Sequence, residues 1–266
     1  MVITISGCVA PKISFMSRCP SLENAVKHAK RTPENLSRDV YRHPQQTLEF
    51  FKVQPDMTVV EIWPGGGWYT EILAPYLYKC GTFYAASFDI DSVNTPEYRR
   101  NIHLRWAKKT ESLPKVYGRT IVTELTPPES TVISPPGLAD RVLTFRNVHN
   151  WIKDGYEQQV FESMFNALKP GGMLGVVEHR ARPGTSIDDM IKSGYVTEGY
   201  IIELAQNAGF KLDQSSEINA NRADSKDHPK GVWTLPPSLR LKEVDRGKYL
   251  AIGESDRMTL RFLKPE

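Results

Sequence analysis

Apolar positions recur along this chain with two periods, one suited to strands and one to helices. Thr58-Val-Val-Glu-Ile62 is a β-branched, apolar run of strand length, entered through the turn Pro55-Asp-Met57. Gly65, Gly66 and Gly67 end it, and Thr70-Glu-Ile-Leu-Ala74 then predicts a helix. Strand, glycine turn and helix in that order open a βαβ unit. Further strands are predicted over Thr82–Phe88, Thr120–Glu124, Arg141–Phe145, Met173–Glu178 and Phe210–Asp213. Met258–Phe262 alternates apolar with polar residues and suits a final antiparallel strand. Helical patterns cover Ser21–Lys30, Gln45–Phe51, Glu157–Leu168 and Thr197–Ala208, the last closed by Gly209. The proline-rich stretch Thr126 to Pro136 predicts a loop, as does the polar stretch Asn219 to Trp233. Strands alternating with helices predict an α/β fold: a mostly parallel seven-stranded sheet, antiparallel at its last strand, with helices on both faces. Residues 1–35 are polar and weakly patterned, a leader and N-terminal segment, and 36–266 read as a single domain.

Composition narrows the picture a little. With 40% hydrophobic and 24% charged residues in 266, the chain can bury a core. A net charge of +3 without concentrated basic stretches gives no reason to expect a nucleic-acid partner; Lys108-Lys109 is too short to alter that. No segment is apolar for long enough to span a bilayer. Cys8, Cys19 and Cys80 show no metal-ligand spacing and cannot all pair, so no disulfide framework is expected, and a Cys8–Cys19 bridge stays open for an exported chain. Ile5-Ser-Gly-Cys8 has the shape of a lipoprotein cleavage site, yet only seven residues precede Cys8 and none is basic. Two readings stand: a chance match in the leader, or an export signal that begins upstream.

The glycine turn is the first candidate for chemistry. Small residues there let backbone approach a ligand, and the helix that follows offers free N–H groups to an anion. A dinucleotide fingerprint read from Gly65 finds Thr70 where its third glycine belongs, and no lysine stands at P-loop spacing. Glu61-x-x-x-Gly65-x-Gly67 instead resembles the first motif of the class I S-adenosylmethionine-dependent methyltransferases, a Rossmann-like family. Asp89, about twenty residues later, matches the family's ribose-binding acidic residue, and a carboxylate there can accept from both ribose hydroxyls. Lys169-Pro-Gly-Gly172 and Ala208-Gly-Phe210 resemble two later family turns. Tyr41-Arg-His-Pro44, Thr144-Phe-Arg-Asn-Val-His-Asn-Trp151, Val177-Glu-His-Arg180 and Glu254-Ser-Asp-Arg257 resemble a bacterial subgroup of predicted methyltransferases. The resemblance implies the class I methyltransferase fold, S-adenosylmethionine as cofactor, and Glu61, Trp63, Gly65, Gly66, Gly67 and Asp89 as its binding residues. It also implies export signals among the subgroup's relatives. Trp63 departs from the family, which has glycine there; its indole either stacks on the cofactor or blocks it.

A second cluster follows the strands where an open α/β sheet places its ligands, outside their carboxyl ends. His149, His179 and Glu178 are the catalytic candidates, with either histidine suited to act as a base for an acceptor. Tyr41, His43, Arg146, Asn147, Asn150 and Arg180 are candidate substrate contacts, the arginines suiting an acidic acceptor. The bland alternatives are local hydrogen bonding for the histidines, an ion pair of Glu178 with Arg180 or Arg146, and packing for Trp151. His149, His179, Glu178 and His228 suit a metal chemically, but their spacing follows no ligand rule and no metal is assigned. The leading reading is methyl transfer to a small-molecule acceptor. The alternative is an exported or envelope protein that binds another small anionic ligand on the same fold. Localisation follows the reading: cytoplasmic for the first, exported or lipid-anchored through Cys8 for the second. Acceptor and oligomeric state are not legible.

Overall fold

A computed structural model describes residues 19–93 and 95–266. Seven strands form one sheet: β1 (Thr58–Ile62), β2 (Thr82–Ser87), β3 (Thr120–Glu124), β4 (Ala139–Phe145), β5 (Leu168–His179), β6 (Lys211–Ser216) and, after the short β7 (Pro229–Val232) that stands outside it, β8 (Arg257–Leu263). Their order is β3-β2-β1-β4-β5-β8-β6. The β1–β2, β1–β4, β2–β3 and β4–β5 pairs are parallel, while β8 runs antiparallel to β5 and β6. This is the expected sheet, with the antiparallel strand last in sequence and next to last in space.

Side-chain alternation explains why helices must cover both faces. Val60 and Ile62 of β1, Tyr84 and Ala86 of β2, Val142 of β4 and Leu174 and Val176 of β5 enter one core. Their neighbours Val59, Phe83, Ala85, Leu143, Phe145 and Val177 enter the other. A strand buried on both sides carries an unbroken apolar run, which is what β1 shows. Edge strands differ: in β3, Ile121 and Val122 are 41% and 51% exposed.

Three findings depart from the sequence reading. The boundary at residue 36 falls inside packed structure, since Ala25 is buried in the second core and Arg31 makes a bidentate pair with Asp39 (2.6 and 2.8 Å). A sixteen-residue helix, Glu97–Ser112, was not expected; only its Trp106 is buried, so it lacks an apolar stripe. Cys19 is bonded to Cys80, with their Cα atoms 5.8 Å apart, which overturns both the Cys8–Cys19 alternative and the expectation that no bridge forms. Cys8 and the Ile5–Cys8 stretch lie outside the described residues.

Parallel strands bring the carboxyl ends of β1, β2, β4 and β5 to one rim of the sheet. Because β8 is antiparallel, its first residue joins that rim: Arg257 stands opposite His179 in the β5–β8 register.

Candidate functional site

The rim carries a glycine cradle at the end of β1. Glu61 is buried and accepts from Thr70 Oγ1 (2.7 Å), which also accepts from Trp106 Nε1 (3.2 Å). Burial pushes the Glu61 carboxyl up to about 8, against the opposing pull of Thr70 and Arg146. Gly67, at φ +80°, is irreplaceable in place, because a Cβ there would meet Trp106 Cδ1 at 2.8 Å. Gly66 faces open space. Asp89, half-buried beyond β2, accepts from the backbone N–H groups of Asp91 (2.9 Å) and Ser92 (3.1 Å), both on Oδ1. Oδ2 is left to accept from a ligand.

Trp63 sits at φ +44° with its indole buried. Nε1 donates to the Leu125 carbonyl (2.9 Å), and the ring packs against Phe88 (4.7 Å between centroids) and edge-on against Trp151 and Tyr156. Arg99 lies 4.6 Å over its face. Trp63 therefore forms the wall of a cavity of about 300 Å³ that Phe88, Thr126, Arg99 and Tyr156 also line. Thr126 Oγ1 accepts from the Asp89 backbone N–H (3.0 Å), which fixes the cavity beside the free carboxylate oxygen. An aromatic wall, a carboxylate and an exposed glycine backbone at adjacent strand ends fit an adenosyl group.

The second cluster is ordered by Glu178, a fully buried carboxylate. Its Oε2 accepts from Val148 N–H (2.6 Å) and His149 N–H (3.4 Å), and Oε1 from His179 N–H (2.8 Å). It pairs with neither Arg180 nor Arg146. The Asn150 amide nitrogen meets His149 Nε2 at 3.1 Å and can only donate, so the ring proton sits on Nδ1 and goes to Glu178 Oε1 (3.1 Å). A carboxylate thus sets the tautomer of His149, whose Nε2 side faces a cleft of about 430 Å³ lined by Asn150, Trp233, Arg240 and Tyr98. The His179 ring centroid is 5.3 Å from that of His149, and its Nδ1 is 2.5 Å from Ser255 Oγ. Burial, then His149, then Arg257, Arg146 and Arg42 push His179 well below the usual histidine range, so it stays neutral.

Nitrogen and oxygen atoms of His149, Glu178 and His179 lie within 4.8 Å of one another, near enough for a metal. Two features oppose one: both Glu178 oxygens are committed, and three guanidinium groups act on His179. His228 is elsewhere, bonded to Asp224 (2.8 Å).

The other candidates divide. Asn147 is buried and donates to the Ile62 carbonyl (2.9 Å), tying β4 to the cradle. Arg180 is committed to Glu217, Asp256 and Glu198, and so buttresses the fold. Tyr41 is partly exposed, and its carbonyl accepts from Arg257 Nη1 (3.2 Å). His43 links two short helices at φ +39°, with Nδ1 buried and unbonded. Arg146, at φ +62°, is half-buried just after β4 and makes no side-chain hydrogen bond with the described residues. Glu254, Arg257 and Trp233 were not picked as site residues, although Glu254-Ser-Asp-Arg257 was visible as a motif. Only the antiparallel register of β8 brings it to the rim.

No family model matches the chain, and no curated protein matches it. Solved structures do resemble it in fold. A SAM-dependent methyltransferase from Aquifex aeolicus superposes with a TM-score of 0.54 at 17% identity, covering 92% of this chain and 99% of that one. The [4+2]-cyclase SpnF gives 0.58 at 12%, covering 92% and 91%. An arsenic(III) S-adenosylmethionine methyltransferase from Chlamydomonas reinhardtii gives 0.53 at 11%, covering 93% and 74%. At these identities the likeness is one of fold, the class I methyltransferase fold.

Proposed function

We propose that the chain transfers a methyl group from S-adenosylmethionine to a small-molecule acceptor held in the cleft beside His149. The observation that carries this reading is the Asp89 carboxylate, with one oxygen uncommitted, standing beside an aromatic-walled cavity at the strand ends next to the glycine cradle. Asp89 would hold the ribose hydroxyls, Trp63 and Phe88 the adenine faces, and the Gly65–Gly66 backbone the methionyl end. Bound there, the cofactor supplies an electrophilic methyl group on sulfur. Methyl transfer is an in-line displacement, so the chain contributes mainly by orienting the acceptor and excluding water. His149 adds a base: Glu178 holds the Nδ1 proton, and Nε2 takes the acceptor's proton once the acceptor displaces the Asn150 amide. The bacterial subgroup that the sequence resembles is part of the same reading.

Titration calorimetry of the folded chain tests it. S-adenosylmethionine and its demethylated product are expected to bind in the micromolar range, and Asp89→Ala to weaken both. No heat and no thermal shift with either compound would overturn the reading.

One observation favours a second reading, a non-methylating exported protein on this fold. The Cys19–Cys80 bridge suits an oxidising compartment, where S-adenosylmethionine, a cytoplasmic metabolite, is not at hand. Fractionation of the native host decides between them: a wholly cytoplasmic protein removes the second reading.

A further inference from the structure

Beyond the cradle, the rim holds an unusual concentration of positive charge. Arg38, Arg42 and Arg257 all reach one carboxylate, Glu254, through Arg38 Nε (2.5 Å), Arg42 Nε (3.0 Å) and Arg257 Nη2 (2.5 Å). Arg42, Arg257 and Glu254 are buried, and Arg38 is mostly so. Arg146 is a fourth guanidinium, near enough to Arg257, Glu254, Arg38 and Tyr69 for their charges to act on it. Burial first, and Arg257 next, pull it down to about 10. A single carboxylate cannot satisfy four guanidinium groups. Arg42 Nη1 and Arg257 Nε are buried with no hydrogen-bond partner, and Arg146 has none either. Leaving buried charged donors unpaired is costly, and the missing partner is an anion.

We infer that Arg42, Arg146 and Arg257 form a binding site for an oxyanion, a carboxylate or phosphate group, carried by the methyl acceptor. Its role as an acceptor site rests on the proposed function; its affinity for an oxyanion does not. Position separates it from the adenosyl end of the cofactor. Asp89 follows β2, whereas Arg146 follows β4, His179 ends β5 and Arg257 begins β8. At roughly 4.8 Å per strand, β2 and β5 are about 14 Å apart. The oxyanion would lie against His179, whose Nε2 makes no hydrogen bond among the described residues. That places the rest of the acceptor toward His149 and its cleft, because the two imidazoles are neighbours. Planar guanidinium groups suit this task, since each offers paired donors to two oxygens of one anion.

The test is titration of the full, disulfide-bonded chain with inorganic phosphate and with malonate, ionic strength being held constant with chloride. Saturable binding of at least one is expected, and the tighter of the two identifies the group. Arg146→Gln should weaken that binding about tenfold or more, and Arg146→Lys less. Arg146 is tied to no partner, so both variants should fold, and their unfolding midpoints check this. Absence of saturable binding to the wild type, or equal binding to Arg146→Gln, overturns the inference. Addition of S-adenosylhomocysteine should leave the anion's affinity unchanged. Competition between the two would instead assign the arginines to the cofactor and overturn the acceptor role. If the anion binds while S-adenosylhomocysteine does not, the methyltransferase reading fails and the oxyanion site stands.

Discussion

Glu61 and Glu178 are both buried carboxylates at strand ends, and their partners give them opposite states. Glu61 has one hydroxyl donor, and burial raises it to about 8. The folded chain therefore holds a proton there that the unfolded chain releases near the ordinary value of 4.5. Its contribution to stability is complete below pH 4.5 and is lost as pH rises through 8. Glu61→Gln, neutral throughout, should gain stability over the wild type across that window in urea unfolding measured at several pH values. Parallel pH profiles would contradict the assignment. Glu178 receives three backbone N–H groups and the His149 ring. Glu178→Ala leaves these donors buried and unpaired, and a loss of about 3 kcal/mol or more is expected in the same assay. Much of this was visible in the sequence, because an acidic residue inside an apolar strand is conspicuous. The fate of Arg180 was not, since its three acidic partners come from three separate segments.

Among elements, β1 and the glycine turn were fully legible: an apolar run of strand length stopped by glycines leaves little choice. Strand β3 was equally clear from its β-branched residues, even though it lies on an edge. The helix Glu97–Ser112 escaped because tertiary contacts, and not an apolar stripe, hold it. Trp106 plugs the cradle, while Arg99 covers Trp63 and reaches Asp154 (2.7 Å). Cys19 and Cys80 are 61 residues apart, and only folding reveals that the segment before the first helix crosses the end of Thr70–Leu77. Closing a loop of that length stabilises the fold by up to about 4 kcal/mol on chain entropy. Cys80→Ser should lower urea stability by up to this amount, and a reductant should lower the wild type equally while leaving the variant unaffected. A reductant with no effect on the wild type would mean that the bridge is absent in solution.

At the scale of the molecule, the sheet order decides what can meet. Parallel strands gather Glu61, Asp89, Arg146 and His179 at one rim, and the antiparallel β8 turns Arg257 toward them. The result is an adenosyl-sized cavity at one end, an arginine basin at the other, and the His149 cleft beside the basin. The [4+2]-cyclase SpnF shares this fold, so the fold alone does not select a reaction. Trp63 is where the two readings divide: as a wall it stacks on adenine, and as a plug it excludes it. Titration of S-adenosylhomocysteine into the wild type and Asp89→Ala, followed by calorimetry, tests this most directly. Micromolar binding to the wild type, at least tenfold weaker in the variant, is the predicted result. Absence of binding to the folded wild type would contradict the central claim.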